Sequence, residues 1–204
     1  MLFKKGAIRL SMAFVAAIAI FACNPGESSQ QSTGTDSVSE SVDHGEEKPA
    51  IASPRRLVEG KIGDVKVSVD YGSPGVKDRK IWGGLEAYGK VWRAGANETT
   101  SFQFSEDVKI GDVVVPAGKY GFYLIPNKNK DWVAIINTDW SREEHGAWGA
   151  YNYNKEHDVV RLNVKPQWEE EDIQERLQYD VTDNSIDMSW EKVRISIPVA
   201  PAKK

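Results

Sequence analysis

The chain of 204 residues carries 26 basic and 30 acidic side chains, a formal net charge of −4, three histidines and a single cysteine. An acidic chain with scattered lysines has no electrostatic footprint for nucleic acid, and that class of partner is excluded. A lone cysteine cannot close an internal disulfide, so no disulfide framework is possible within the chain.

Residues 1–22 read as a lipoprotein signal peptide. Lys4, Lys5 and Arg9 form a basic head, and the apolar run over 10–22 is broken only by Ser11. That run is short for a bilayer span and ends on a small residue, as a processed leader does. Cys23 follows at once, and Ile20-Phe21-Ala22-Cys23 resembles a bacterial lipobox, with Phe21 bulkier than the commonest residue there. The resemblance implies that the Cys23 thiol is lipidated with palmitate-like chains and becomes the mature N-terminus. Several acyl chains hold a protein on a membrane as one chain does not. The expected location is the bacterial cell envelope, anchored to the outer membrane; the plainer alternative is ordinary cleavage beside an incidental cysteine. Loss of Lys4, Lys5 and Arg9 moves the net charge from −4 to −7.

Residues 23–54 then form a tether behind Cys23. A Ser/Gln/Thr/Gly run and a dilute acidic stretch contain almost no large apolar residue, which predicts disorder. Within it Asp36-Ser37-Val38 resembles an O-glycan acceptor triplet of Gram-negative lipoproteins, which makes Ser37 a modification candidate on a pattern that recurs by chance.

Residues 55–201 are long enough for one core, with 202–204 as a tail. Over 61–71, Val65, Val67, Val69 and Tyr71 share one face while Lys66, Ser68 and Asp70 share the other, with Ile62 breaking in; this predicts one half-buried strand. Phe102 and Phe104 repeat that spacing. Gly111-Asp112 between apolar runs predicts a hairpin with a type II′ turn, and Pro116-Ala117-Gly118 a second corner. Strands follow at 119–125, 132–137, 159–165, 173–181 and 186–190, and after a Glu191-Lys192 turn at 193–197. Ser141 with Glu144 three residues later suits a capping box on one short helical turn. Eight to ten short strands with frequent turn residues predict an all-β fold, a single antiparallel β-sandwich or jelly-roll-like domain, with a closed barrel as second choice.

The stretch 91–100, VWRAGANETT, interrupts this pattern. The connection holding it carries Arg79, Trp82, Trp92, Arg93, Asn97 and Glu98. An arginine fork matches a carboxylate, phosphate or sulfate, and Asn adds a donor and an acceptor. The same residues can equally form a strut, with Arg93 pairing Glu98 and Asn97 serving turn backbone. Of the seven tryptophans, Trp132 and Trp190 lie in phase with core residues, whereas Trp140 and Trp148 lie in the least regular segment and suit a sugar platform. His145 and His157 stand beside carboxylates without metal-ligand spacing, so no metal site and no cofactor is expected. There is no GxSxG and no Gly-rich phosphate loop.

The residues Tyr71, Pro74, Arg79, 81–85 (IWGGL), 88–99 (YGKVWRAGANET) and Phe104 resemble the front half of domain-of-unknown-function family 2911. The likeness continues through 116–120, Ile125-Pro126, Trp132, Asn137, Trp148-Gly149-Ala150-Tyr151 and Asp158-Val159-Val160-Arg161. It implies a secreted or lipid-anchored bacterial β-rich protein, directs attention to Arg93, Gly95, Asn97 and Glu98, and adds Arg161 as a distant partner. The leading expectation is a ligand-binding module for a small anionic or sugar-like molecule. Arg79, Arg93, Asn97, Glu98 and Arg161 would make the polar contacts, and Trp82 or Trp92 an apolar wall. The alternatives are an envelope hydrolase using Asp70 and Glu98, and a structural or assembly protein that offers the sandwich to a protein partner.

Overall fold

The structure, a computed structural model, describes residues 52–202. The signal peptide, Cys23, Ser37 and nearly all of the tether lie outside the described residues. Twelve strands follow in chain order: β1 (Arg55–Ile62), β2 (Val65–Gly72), β3 (Thr100–Phe104), β4 (Val108–Ile110), β5 (Val113–Val115), β6 (Gly118–Ile125), β7 (Trp132–Asn137), β8 (Asp158–Val164), β9 (Gln167–Trp168), β10 (Gln174–Val181), β11 (Ser185–Glu191) and β12 (Val193–Pro201). They form two antiparallel sheets packed face to face, ordered β1-β2-β3-β6-β7-β8 and β10-β11-β12-β4-β5, with β9 on β12. This is the expected all-β sandwich. Gly75, just past β2, bridges to Arg176 of β10 and links the sheets at one margin.

The inner faces follow the period-two reading. Val65, Val67, Val69 and Tyr71 of β2 are buried, as are Phe102 and Phe104 of β3. The Phe102 and Phe122 rings stack at 4.2 Å, and Tyr71 meets Tyr179 of the opposite sheet edge-on at 4.8 Å. Gly111 has φ 61° and Asp112 a negative φ, the sense a type II′ hairpin requires between β4 and β5.

Four tryptophans fill one end of the sandwich. Trp82 packs edge-on against Trp92, Trp132 and Trp190, with centroids 4.7 to 5.6 Å apart, and Trp92 stacks on Trp190 at 5.6 Å. Trp132 donates its N–H to the Asn127 carbonyl at 3.0 Å. The indole N–H groups of Trp82, Trp92 and Trp190 are buried without an oxygen or nitrogen acceptor among the described residues. Edge-to-face packing offers them aromatic faces, which are weak acceptors.

Three expectations change. The region 61–71 is two strands, because Gly63 (φ 58°) and Asp64 close a two-residue hairpin between Ile62 and Val65. Ile173 is exposed and precedes β10, whose pairing with β11 shifts register between Gln174 and Gln178. The strands number twelve rather than eight to ten, since β1 and the two-residue β9 carry too little alternation to be seen.

Candidate functional site

The connection between β2 and β3 is folded tightly against the sandwich. Trp92 exchanges backbone hydrogen bonds with Leu124 of β6, at 2.8 and 2.9 Å, so it continues the sheet where β3 has ended. Ala94 (φ 49°) and Asn97 (φ 64°) adopt left-handed conformations that reverse the chain. The Ala94 carbonyl accepts from Tyr179 Oη at 2.8 Å and Thr100 Oγ1 at 3.1 Å, and Ala96 N donates to the Gly72 carbonyl at 3.1 Å. A Cβ on Gly95 would stand 2.5 Å from Thr100 Oγ1, so the close approach requires glycine. The centre of VWRAGANETT is therefore a docked corner.

The second irregular element is the connection over 138–157, which lies on the outer face of the first sheet. Its short helix α1 (Arg142–His145) is capped by Ser141, whose side chain accepts from Glu144 N at 3.2 Å, as the capping reading expects. Gly121 of β6 faces it: a Cβ there would strike the Asp139 carbonyl. Tyr123 and Ile135, whose side chains also leave that face, are fully buried beneath the cover. Asp158, with a side chain 6% exposed, anchors the far end. It accepts from Arg161 at 2.6 Å, from Tyr153 Oη at 2.6 Å and from Asn137 Nδ2 at 2.8 Å. Burial, reinforced by Asp158, pushes the Tyr153 hydroxyl up, so it stays a donor. His157 Nδ1 meets Asp139 Oδ2 at 2.7 Å, and His145 Nδ1 accepts from the Trp140 and Ser141 amides at 3.4 Å each.

Where this cover meets the sheet margin there is a cleft of about 150 Å³. Asp70, Ser101 and Lys119 contribute from β2, β3 and β6, Arg55 from β1, Glu98 and Thr99 from the end of the docked corner, and Trp140, Ser141, Arg142, Glu143, Ala147 and Trp148 from the cover. Lys119 Nζ lies 4.2 Å from the Trp140 ring centroid, and the Arg142 guanidinium 5.2 Å from that of Trp148. Arg55 stands between two carboxylates, its Nε 2.6 Å from Asp70 Oδ1 and its Nη1 3.4 Å from Glu98 Oε2. The cleft thus has two indoles, two cations resting on them and a carboxylate pair already bridged. Such a lining can hold a small ring with hydroxyl or acidic substituents.

Of the seven residues singled out by the sequence, Glu98 lines this cleft. Trp82 and Trp92 are 5% and 4% exposed and belong to the tryptophan core, so neither walls a ligand. Arg79 is spent on the local backbone, donating to the Gly75 carbonyl at 2.6 Å and the Val76 carbonyl at 3.0 Å. Asn97 is exposed and reaches the Ser53 carbonyl at 3.4 Å. Arg161 is held by Asp158 and Tyr153 at the other end of the cover. Arg93 does not pair with Glu98: its side chain lies against Gly149, its Nε is buried without a partner among the described residues, and its charge acts on Glu86. Burial pushes the Glu86 carboxyl up to about 7 against the opposing pull of Arg93 and Arg79. Sequence reasoning missed the cleft residues Arg55, Lys119 and Arg142. The sugar-platform reading of Trp140 and Trp148 was the signal that pointed at the cleft.

Fold and cleft together define a two-sheet β-sandwich with a covered outer face and a small polar-aromatic cleft at the edge of the cover. Residues 53–199 match the family model described as "Protein of unknown function (DUF2911)", and the chain belongs to that family. No curated protein and no solved structure matches it.

Proposed function

We propose that this is a lipid-anchored envelope protein, attached through Cys23 to the outer membrane, whose cleft binds a single sugar or sugar-acid ring. The observation that carries the reading is the convergence of Trp140, Trp148, Lys119 and Arg142 on one cleft with Ser101 and Glu98. Indole faces stack on the apolar face of a pyranose, while lysine and arginine take a carboxylate and serine a hydroxyl. Pockets for drug-sized ligands run from about 300 Å³ upward, so a 150 Å³ cleft suits one ring.

The test is thermal shift of the full chain with galacturonic acid. A ligand that binds only the folded state must raise Tm. Trp148 is 36% exposed and lies outside the core, so Trp148→Ala should fold and lose the shift. A shift that survives in Trp148→Ala and in Arg142→Ala would sink the reading. Loss of acyl labelling in Cys23→Ala tests the anchor.

Hydrolysis by Asp70 and Glu98 is a second reading, favoured by their sharing this cleft. Against it, Arg55 occupies the space between them that a reacting bond and its water would need. Unchanged turnover of an aryl glycoside in Asp70→Asn would dispose of it.

A further inference from the structure

The outer face of the first sheet does not stop at the cleft. Three cross-strand rows run over it. The first is Leu57, Asp70, Ser101 and Gly121; the second is Glu59, Ser68, Gln103 and Lys119; the third is Lys61 opposite Lys66, with Ser105 Oγ accepting from Lys66 N at 2.8 Å. The first row enters the cleft. From the second and third, Glu59, Lys61, Lys66, Ser68, Gln103 and Ser105 line a separate concavity of about 550 Å³, while Lys119 lies in the cleft. Ser68 and Asp70 are alternate residues on one face of β2, so the two hollows adjoin. From Lys66 to Asp70 the strand advances about 13 Å, at about 3.3 Å per residue. Leu57, 60% exposed, lies opposite Asp70 on the edge strand β1.

The charges in this groove are arranged against the trend of the molecule. Lys61 and Lys66 face each other directly, an arrangement that costs rather than gains stability in a strand pair. Among the described residues neither forms an ion pair, and nor does Lys119. Lys61 and Lys66 in the trough and Lys119 in the adjoining cleft give this acidic protein a counter-surface for negative charge. The remaining polar lining is Glu59, a carboxylate beside the two lysines, with Ser68, Gln103 and Ser105, which supply short donors and acceptors suited to hydroxyl groups.

We propose that cleft and trough are one groove for an extended anionic glycan, with a terminal ring against Trp140 and Trp148 and further acidic units over Lys119, Lys66 and Lys61. This deepens the single-ring reading of the cleft and rests on it. An acidic peptide would satisfy the lysines but would leave the indoles and the hydroxyl-matching floor without a role.

The experiment is calorimetric titration of the full chain in detergent with galacturonic acid, its α-1,4-linked hexamer, neutral maltohexaose and hexaglutamate. The hexamer is expected to bind at least tenfold more tightly than the monomer, and both neutral and peptide hexamers more weakly than the galacturonate hexamer. In the double variant Lys61→Ala/Lys66→Ala, both exposed positions, the hexamer should fall to within a few-fold of the monomer while monomer affinity holds. Equal affinity of monomer and hexamer overturns the groove and leaves the single-ring cleft standing. Hexamer binding that depends on Lys61 and Lys66, without monomer binding, supports the groove and overturns the cleft as a site sufficient alone. Hexaglutamate binding as tightly as the galacturonate hexamer, hexamer affinity unchanged in the double variant, or no binding of either galacturonate would overturn the proposal.

Discussion

Gly149 lies directly under the side chain of Arg93: a Cβ at Gly149 would stand 2.8 Å from Arg93 Cδ and 2.9 Å from the Asn97 carbonyl oxygen. Its own carbonyl accepts from Thr99 Oγ1 at 3.1 Å, and its φ of 58° suits glycine. The docked corner and the cover are thus joined at one residue, next to Trp148 of the cleft. Gly149→Ala should lower stability by about 1–3 kcal/mol, from left-handed strain and a clash with backbone that cannot swing away. Urea unfolding should show a lower midpoint with an unchanged slope. An unchanged midpoint would mean that the joint is loose.

Asp158 should be the most costly single position in the cover. Alanine there strands three donors, from Arg161, Tyr153 and Asn137, in a largely buried place. The expected loss is about 3 kcal/mol, at the low end for a broken buried pair because Arg161 is about a third exposed. Arg161→Ala should cost less than half as much, since two neutral donors still serve the carboxylate. Limited proteolysis should then cut within 138–157 in Asp158→Ala before it cuts elsewhere. Equal losses in the two variants would contradict this ordering.

These two relationships show why the fold was more legible than the site. Period two marked β2 and β3 because one face of each is buried against a second sheet, whereas β7, buried on both faces, showed as a nearly continuous apolar run. It missed β1, whose partner-facing positions include Gly60, and whose turn to β2 is only Gly63-Asp64. The stretch 91–100 stood out because glycine, small residues and polar groups interrupt a strand pattern. Tight docking needs that composition too: Gly95 is there for Thr100 Oγ1, and Gly149 for Arg93. The cleft itself has no local spacing to read. Arg55, Glu98, Lys119 and Arg142 come from four separate segments that only strand register and the folded cover bring together.

Glu86 makes stability depend on pH in an unusual direction for a carboxylate. Its folded-state pKa is raised, to about 7, so its neutral form is the one the fold accommodates. The stability this contributes is fully present below the ordinary value near 4.5 and is lost as pH rises through about 7. Glu86→Gln should therefore match the parent at pH 4 and exceed it at pH 8 by on the order of 2 kcal/mol, a figure reduced for residual solvent contact. Chemical denaturation at both pH values checks it. A variant less stable than the parent at pH 8 would show that the Arg93 and Arg79 charges outweigh burial.

Trp132 and Trp190 offer the same substitution in two hydrogen-bonding settings. Both are 0% exposed and both pack edge-on against Trp82. Trp132→Phe removes volume and also the bond to the Asn127 carbonyl, whereas Trp190→Phe removes volume together with an N–H that has no oxygen or nitrogen acceptor among the described residues. Losing a made hydrogen bond costs about 1 kcal/mol, while removing an unmade one relieves a desolvated donor. Trp132→Phe should therefore be the more destabilising by about 1–2 kcal/mol, measured side by side by urea unfolding. If Trp190→Phe costs as much, its N–H is drawing comparable energy from the aromatic faces around it, and the four-indole cluster is held by more than area and shape.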